Sequence, residues 1–262
     1  MSENLKKLMP VLFVGHGSPM NAIEINEFSD TWLKVAQSIP RPDSILCISA
    51  HWETNVTQVT AMAKPKTIHD FGGFPKELFD VEYPAPGNPE LAEEIIRSVT
   101  KFNITADNNW GLDHGCWSVI RCMYPKADIP VVQLSLNYSE DISFHYQLAK
   151  ELLFLREKKV LIVGSGNMVH NLRLVDWDMA DIGAGWAVAA NNILKELIDH
   201  NEHEKLVDYQ SLGKDVQLAV PTPEHYLPLL YALALKQSDE TITYFNDKLV
   251  MGSLSMTSIM IG

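Results

Sequence analysis

The sequence predicts an α/β fold, a single domain with a mostly parallel central sheet flanked by helices. Three observations predict it. Short apolar runs rich in β-branched residues recur along the chain, amphipathic helical patterns lie between them, and glycine, proline or capping residues punctuate the two. Strands alternating with helices make βαβ units, and crossover helices on both faces explain why the strand runs are continuously apolar. A length of 262 residues suits one catalytic domain spanning 1–262, since domains average roughly 150 residues.

The first strand is Pro10-Val11-Leu12-Phe13-Val14, closed by Gly15-His16-Gly17-Ser18-Pro19. A helix over Glu27 to Ser38 follows, carrying Trp32, Leu33 and Val35. After the break at Pro40 and Pro42, the second strand is Ser44 to Ala50, and it ends at His51-Trp52-Glu53. Residues 64–88 are rich in proline and glycine (HDFGGFP, YPAPGNP), and so long an irregular segment in a compact domain is usually a functional lid or wall. Asn88-Pro89 opens a helix to Thr100, and Ser139-Glu140-Asp141 opens another from Ile142 to Arg156, with proline and acids at the positive end of the dipole. Between them lie an aromatic helix after His114 and a strand over Ile129 to Leu136. Lys159 to Val163 forms a further strand, followed by Gly164-Ser165-Gly166-Asn167-Met168-Val169-His170-Asn171. Helices over Gly183 to Asp199 and Glu224 to Lys236 come next, and Glu240 to Gly262 reads as two closing strands with Gly252 between or within them.

The charge balance narrows the function. Lys plus Arg is 21 against 33 Asp plus Glu, a net charge of −12, and such a surface repels phosphate backbones and anionic lipid. Nucleic acid and membrane are therefore excluded as partners, and a small molecule is expected. Met1 to Pro10 lacks the apolar core of a signal peptide, and no later apolar run approaches the roughly 18 residues of a spanning helix. A cytoplasmic protein is expected. The three cysteines, Cys47, Cys116 and Cys122, show no CxxC spacing and are expected to be buried free thiols.

The nine histidines carry the chemistry. Three apolar strands run into His16, His51 and His170 at or just after their C-terminal ends, the side on which open α/β sheets place their ligand crevice. Those imidazoles should converge on a metal or proton-transfer site. His225 lies at the start of an apolar helix, with Glu224 as the alternative ligand there, because two histidines and a carboxylate form the usual face for oxygen-using ferrous iron. His114 sits on a glycine-flanked turn where Asp113 could orient a neighbouring imidazole. His69, in the irregular HDFGGFP loop, could line a pocket but reads rather as a loop-surface residue, and His145, His200 and His203 read as solvated.

Several signatures fail. Gly164-Ser165-Gly166 follows a strand, but Val169 stands where GxGxxG needs its third glycine. There is no GxxxxGK[ST], HExxH or GxSxG, and no PCxxC accompanies His51-Trp52-Glu53.

Taken together, VGHGSPM (14–20), SAHWE (49–53), IHDFGGFP (68–75), YPAPG (83–87), GLDHGCW (111–117), GSGNMVHNL (164–172), PTPEHYLPLLY (221–231) and MGSLSM (251–256) resemble the extradiol catechol dioxygenases of the LigB superfamily, and within it the 4,5-DOPA dioxygenase branch. The resemblance covers nearly the whole chain. It implies an α/β domain with a shallow metal site at its strand ends, with His16, His51 and His225 as metal ligands. It further implies His170 as catalytic base and possible fourth ligand, and His114 lining the pocket against substrate or oxygen. One divalent metal is expected, zinc as the ion found in place and Fe(II) for turnover, because zinc has no redox chemistry with which to activate dioxygen. The partners are a small catechol and O2, and the reaction is 4,5-cleavage of L-DOPA to seco-DOPA. A zinc-dependent hydrolase, or a tetrapyrrole metal chelatase suggested by GHGS, would use the same histidines.

Overall fold

The computed structural model describes residues 8–262. Most of the 1–10 stretch read above for targeting lies outside the described residues. The strands are β1 (Val11–Gly15), β2 (Ser44–Thr54), β3 (Thr57–Thr60), β4 (Ile104–Asp107), β5 (Val131–Asn137), β6 (Val160–Gly166), β7 (Ile242–Phe245), β8 (Leu249–Val250), β9 (Leu254–Ser255) and β10 (Ser258–Ile261). Eight of them form one sheet in the order β4-β3-β5-β2-β6-β1-β10-β7, and β8 pairs with β9 alone. The central pairs β5·β2, β2·β6 and β6·β1 are parallel, as is β3·β4, whereas β3·β5, β1·β10 and β10·β7 are antiparallel.

Side chains alternate between two apolar layers. Val11 and Phe13 of β1, Leu46 and Ile48 of β2 and Ile162 of β6 face a layer covered by the helices Pro89–Ser98, Ile142–Lys150, Gly185–Asp199 and Leu227–Ala234. Leu12, Val14, Ile45, Cys47, Leu161 and Val163 face the other, covered by Glu27–Ser38 and His114–Met123. Burial on both faces is why these strands carry no polar alternation, as expected for a doubly covered parallel sheet. Helix starts follow the expected capping: the Asn88 side chain accepts from Leu91 N with Pro89 behind it, and Asp141 accepts from Phe144 N.

Several boundaries differ from the sequence reading. β2 does not stop at Ala50 but continues to Thr54, with an irregularity in its register against β5 between Ile48 and Glu53. The strands β3 (TQVT) and β4 (ITAD) carry no apolar run, since three and two of their four residues are polar. The pattern over Ile142 to Arg156 splits into Ile142–Lys150 and Phe154–Glu157. The last helix is only Leu227–Ala234, because Pro221 and Pro223 hold the preceding residues in turns. The two closing sheet strands are β7 and β10, and Gly252 sits between them at φ +71 in the β8–β9 turn. Cys47 and Cys116 are buried free thiols as expected, while Cys122 is half-buried. Among the described residues no helix is long and apolar enough to cross a membrane.

Candidate metal centre and active site

Strands β2, β6 and β1 are adjacent and parallel, so their C-terminal ends open on one crevice. His16 follows the last β1–β6 pair, Gly15 with Gly166, and His51 lies two residues past the last β2–β6 pair, Ser49 with Ser165. His225 reaches the same place from far along the chain because its carbonyl accepts the Asn167 amide at 2.8 Å. That approach needs Gly166, where an added Cβ would overlap the His225 carbonyl oxygen.

One ring nitrogen from each of His16, His51 and His225 lies within 4.8 Å of the other two. The Nε2 atoms of His16 and His51 stand 3.3 Å apart. His16 and His225 each have a hydrogen-bonding partner on Nδ1, and His51 faces a carboxylate there at longer range. His16 Nδ1 is 2.9 Å from Ser165 Oγ, and because that hydroxyl gives its own proton to the Gly115 carbonyl at 2.6 Å, it accepts from the imidazole. His225 Nδ1 faces Glu224 at 3.3 Å, and His51 Nδ1 faces Asp70 at 3.7 Å. The Nδ1–H tautomer of His16 turns its Nε2 lone pair toward His51 Nε2 across that 3.3 Å gap. The gap is the spacing a shared ion requires: two nitrogens at about 2.0–2.1 Å from a tetrahedral metal are about 3.3 Å apart. Backing of the distal nitrogen by a hydroxyl or carboxylate is the usual support for ligating imidazoles.

Electrostatics agrees with neutral rings. Burial, reinforced by the neighbouring imidazoles, holds the His16 and His225 pKa values well below the ordinary histidine value, and that of His51 falls to about 3 despite the opposing charge of Asp70. Burial alone takes His170 down to about 4, with Glu224 opposing.

A family model described as the catalytic LigB subunit of aromatic ring-opening dioxygenase matches residues 11–258. The chain belongs to the LigB family. Among LigB relatives, the 4,5-DOPA dioxygenase extradiol of Escherichia coli (strain K12) is 46% identical over 258 residues, 97% of this chain and 95% of that one. The protein of the same name from Beta vulgaris is 37% identical over 238 residues, 88% of this chain and 87% of that one. The crystal structure of the Escherichia coli K12 protein JW3007 superposes with a TM-score of 0.85 at 41% identity, covering 97% of this chain and all of that one. LigB membership makes the chain an extradiol aromatic ring-opening dioxygenase, metal-dependent like its family, and takes precedence over the hydrolase and chelatase readings.

The LigB cavity measures about 520 Å³. His16, His51 and His225 form one side, His114 and His170 join them, and Phe71, Phe74, Trp177 and Leu254 give apolar walls. His170 stands ring on ring with His225 at 3.5 Å and 7°, and forms with Glu224 and His225 a second group adjoining the trio. Its place is set by its amide donating to the Ala219 carbonyl and by an isolated bridge to Leu254. Glu224 thus lies behind His225 and beside His170, and the trio is closed by the imidazole.

Other expectations are corrected. Asp113 orients no imidazole: it caps helix His114–Met123 through Cys116 N and accepts from Ser49 Oγ and Gln133 Nε2, with burial pushing its pKa up. The carboxylate that does hold an imidazole is Asp70, 2.9 Å from His114 Nδ1. Its only sequence signal is its place beside His69 in HDFGGFP. His69 is half-buried rather than free on the surface, its Nε2 bonding the Val81 carbonyl at 2.9 Å among Phe71, Phe79 and Trp117. His145 is buried between Tyr231 OH and the Asn137 carbonyl, and His203 is half-buried against Tyr146 OH, whereas His200 is exposed as expected.

Proposed function

We propose that this chain is one catalytic domain over residues 1–262 that opens the ring of a catechol such as L-DOPA between a hydroxylated carbon and its unhydroxylated neighbour, using O2. What carries the reading is the trio of converging imidazoles lining a cavity of about 520 Å³, within the range of small-molecule sites. His16, His51 and His225 would hold the divalent ion, and a ferrous ion there would supply the redox capacity toward dioxygen that zinc lacks, even if zinc is the ion found in place.

The remaining groups do the acid–base and positioning work. His170 is neutral near pH 7, with its ring fixed by stacking on His225, and would take a catechol hydroxyl proton. General-base assistance of this kind is worth roughly 10²–10⁴-fold. His114 would contact substrate or oxygen from the opposite side of His51, its ring centroid 3.8 Å from that of His51. Phe71 and Phe74 close one wall with an edge-on pair at 5.4 Å, keeping water from the reacting ring. A cytoplasmic location fits the acidic charge.

The test is anaerobic reconstitution with Fe(II) followed by a catechol panel, read by oxygen uptake and the ring-fission chromophore. Iron-loaded protein should consume O2 with L-DOPA, and zinc-loaded protein should not. Robust uptake by iron-free, zinc-loaded protein would refute the metal assignment, and no uptake with any catechol would refute the substrate class.

A further inference from the structure

We propose that Asp70 is the positioning residue for His114, fixing its ring as the Nδ1–H tautomer so that Nε2 is the nitrogen offered to the cavity. The inference rests on the proposed place of His114 beside substrate or oxygen. One carboxylate grips the residue twice: Oδ1 accepts the His114 amide at 2.8 Å, and Oδ2 lies 2.9 Å from its Nδ1. Gripping backbone and ring together leaves the side chain no rotamer freedom. Aspartate is ordinarily ionised near pH 7, and both oxygens of this one face nitrogens, one of them a backbone N–H that can only donate. An ionised carboxylate only accepts, so both facing nitrogens must carry protons. In the neutral ring, the Nδ1–H tautomer follows from that count.

Capping does not explain the arrangement. Helix His114–Met123 already has its cap in Asp113, whose side chain takes the Cys116 amide. Asp70 comes from the irregular 64–88 segment, and that segment is pinned beside it. The Ile68 amide donates to the Leu112 carbonyl at 2.7 Å, and Trp117 Nε1 donates to the Ile68 carbonyl at 2.8 Å. Phe71, the next residue along, sets its ring edge-on to His114 at 5.5 Å. The loop therefore presents Asp70 from a braced backbone, as a residue supporting a catalytic group must be. His51 Nδ1, 3.7 Å from Oδ2, lies beyond hydrogen-bond distance and leaves His114 the principal partner.

Asp70→Asn tests the count. An amide offers one oxygen where two donors wait; with that oxygen on the His114 amide, the NH2 meets Nδ1 and drives the proton to Nε2. Long-range ¹H–¹⁵N spectra of histidine-labelled protein, metal-free and zinc-loaded, should show His114 with a pyrrole-like Nδ1 and a pyridine-like Nε2, exchanged in Asp70→Asn. His114→Gln identifies the signals. In iron-loaded protein kcat for catechol cleavage should fall roughly 10–100-fold with metal content unchanged. A pyridine-like Nδ1 in the unsubstituted protein overturns the proposal without any variant having to fold, and so does an unchanged tautomer and kcat in Asp70→Asn. If the unsubstituted iron-loaded protein opens no catechol, the proposed function fails while the tautomer measurement still stands on its own.

Discussion

Replacing Gly115 by alanine should weaken the metal site by moving one ligand. Gly115 is the second residue of helix His114–Met123, packed under the trio. A Cβ there would lie 2.5 Å from Ser49 Oγ and 2.7 Å from His51 Cδ2. The ring contact falls about 0.7 Å short of the 3.4 Å at which ordinary contact begins, so His51 must shift by that order, against a neighbouring His16 nitrogen 3.3 Å away. Alanine is the better helix former by roughly 1 kcal/mol, while overpacking costs about 1–3 kcal/mol, so the net change in stability is small. Function should suffer more than stability, because displacements approaching 1 Å at a reacting centre cost about 10²-fold. Chelator competition should show zinc bound roughly 10–100-fold more weakly, and thermal unfolding of the metal-free protein should change by only a few degrees. Relieving the hydroxyl contact with Ser49→Ala in the same chain should restore little, since the ring contact persists. Unchanged zinc affinity in Gly115→Ala would refute the assignment of His51 as a ligand held against this helix.

Two further outcomes follow from the same geometry. His170→Ala should keep its full complement of metal, because the three-imidazole trio is intact, yet lose ring cleavage by about 10²–10⁴-fold; full single-turnover cleavage with metal bound would remove His170 as the base. His145, buried with a pKa lowered to about 4 by desolvation, makes stability pH-dependent. Its folded pKa lies below the unfolded 6.5, so the unfolded chain binds the extra proton: the contribution is complete above pH 6.5 and is lost as pH falls toward 4. Between pH 7 and pH 5 this amounts to about 2 kcal/mol. Urea unfolding at the two pH values should show a smaller loss in His145→Gln by that amount, and an identical loss in both proteins would refute it.

The central strands, the helices between them and the convergence of His16, His51 and His170 were legible because each rests on local pattern. A strand buried on both faces must be apolar throughout, and in a parallel sheet its C-terminal end falls on the ligand side whatever the rest of the chain does. The short edge strands β3 and β4 were illegible for the converse reason. Four residues, partly polar, become strands only because β5 and each other supply hydrogen bonds.

The roles of individual polar groups lay in tertiary structure alone. Asp113 and Asp70 are both aspartates near His114, one adjacent in sequence and the other 44 residues away, and sequence proximity favoured the wrong one. Asp113 is committed to the helix start and to Ser49 and Gln133, while the braced 64–88 loop swings Asp70 onto the imidazole. Likewise His145 looked solvated from its surroundings in the chain, and only packing buries it. Periodicity records which face of an element is apolar and where it ends, so the sequence determined the sheet and the edge where the histidines gather. Which nitrogen of each imidazole is free depends on partners brought from distant segments, and that only the folded chain decided.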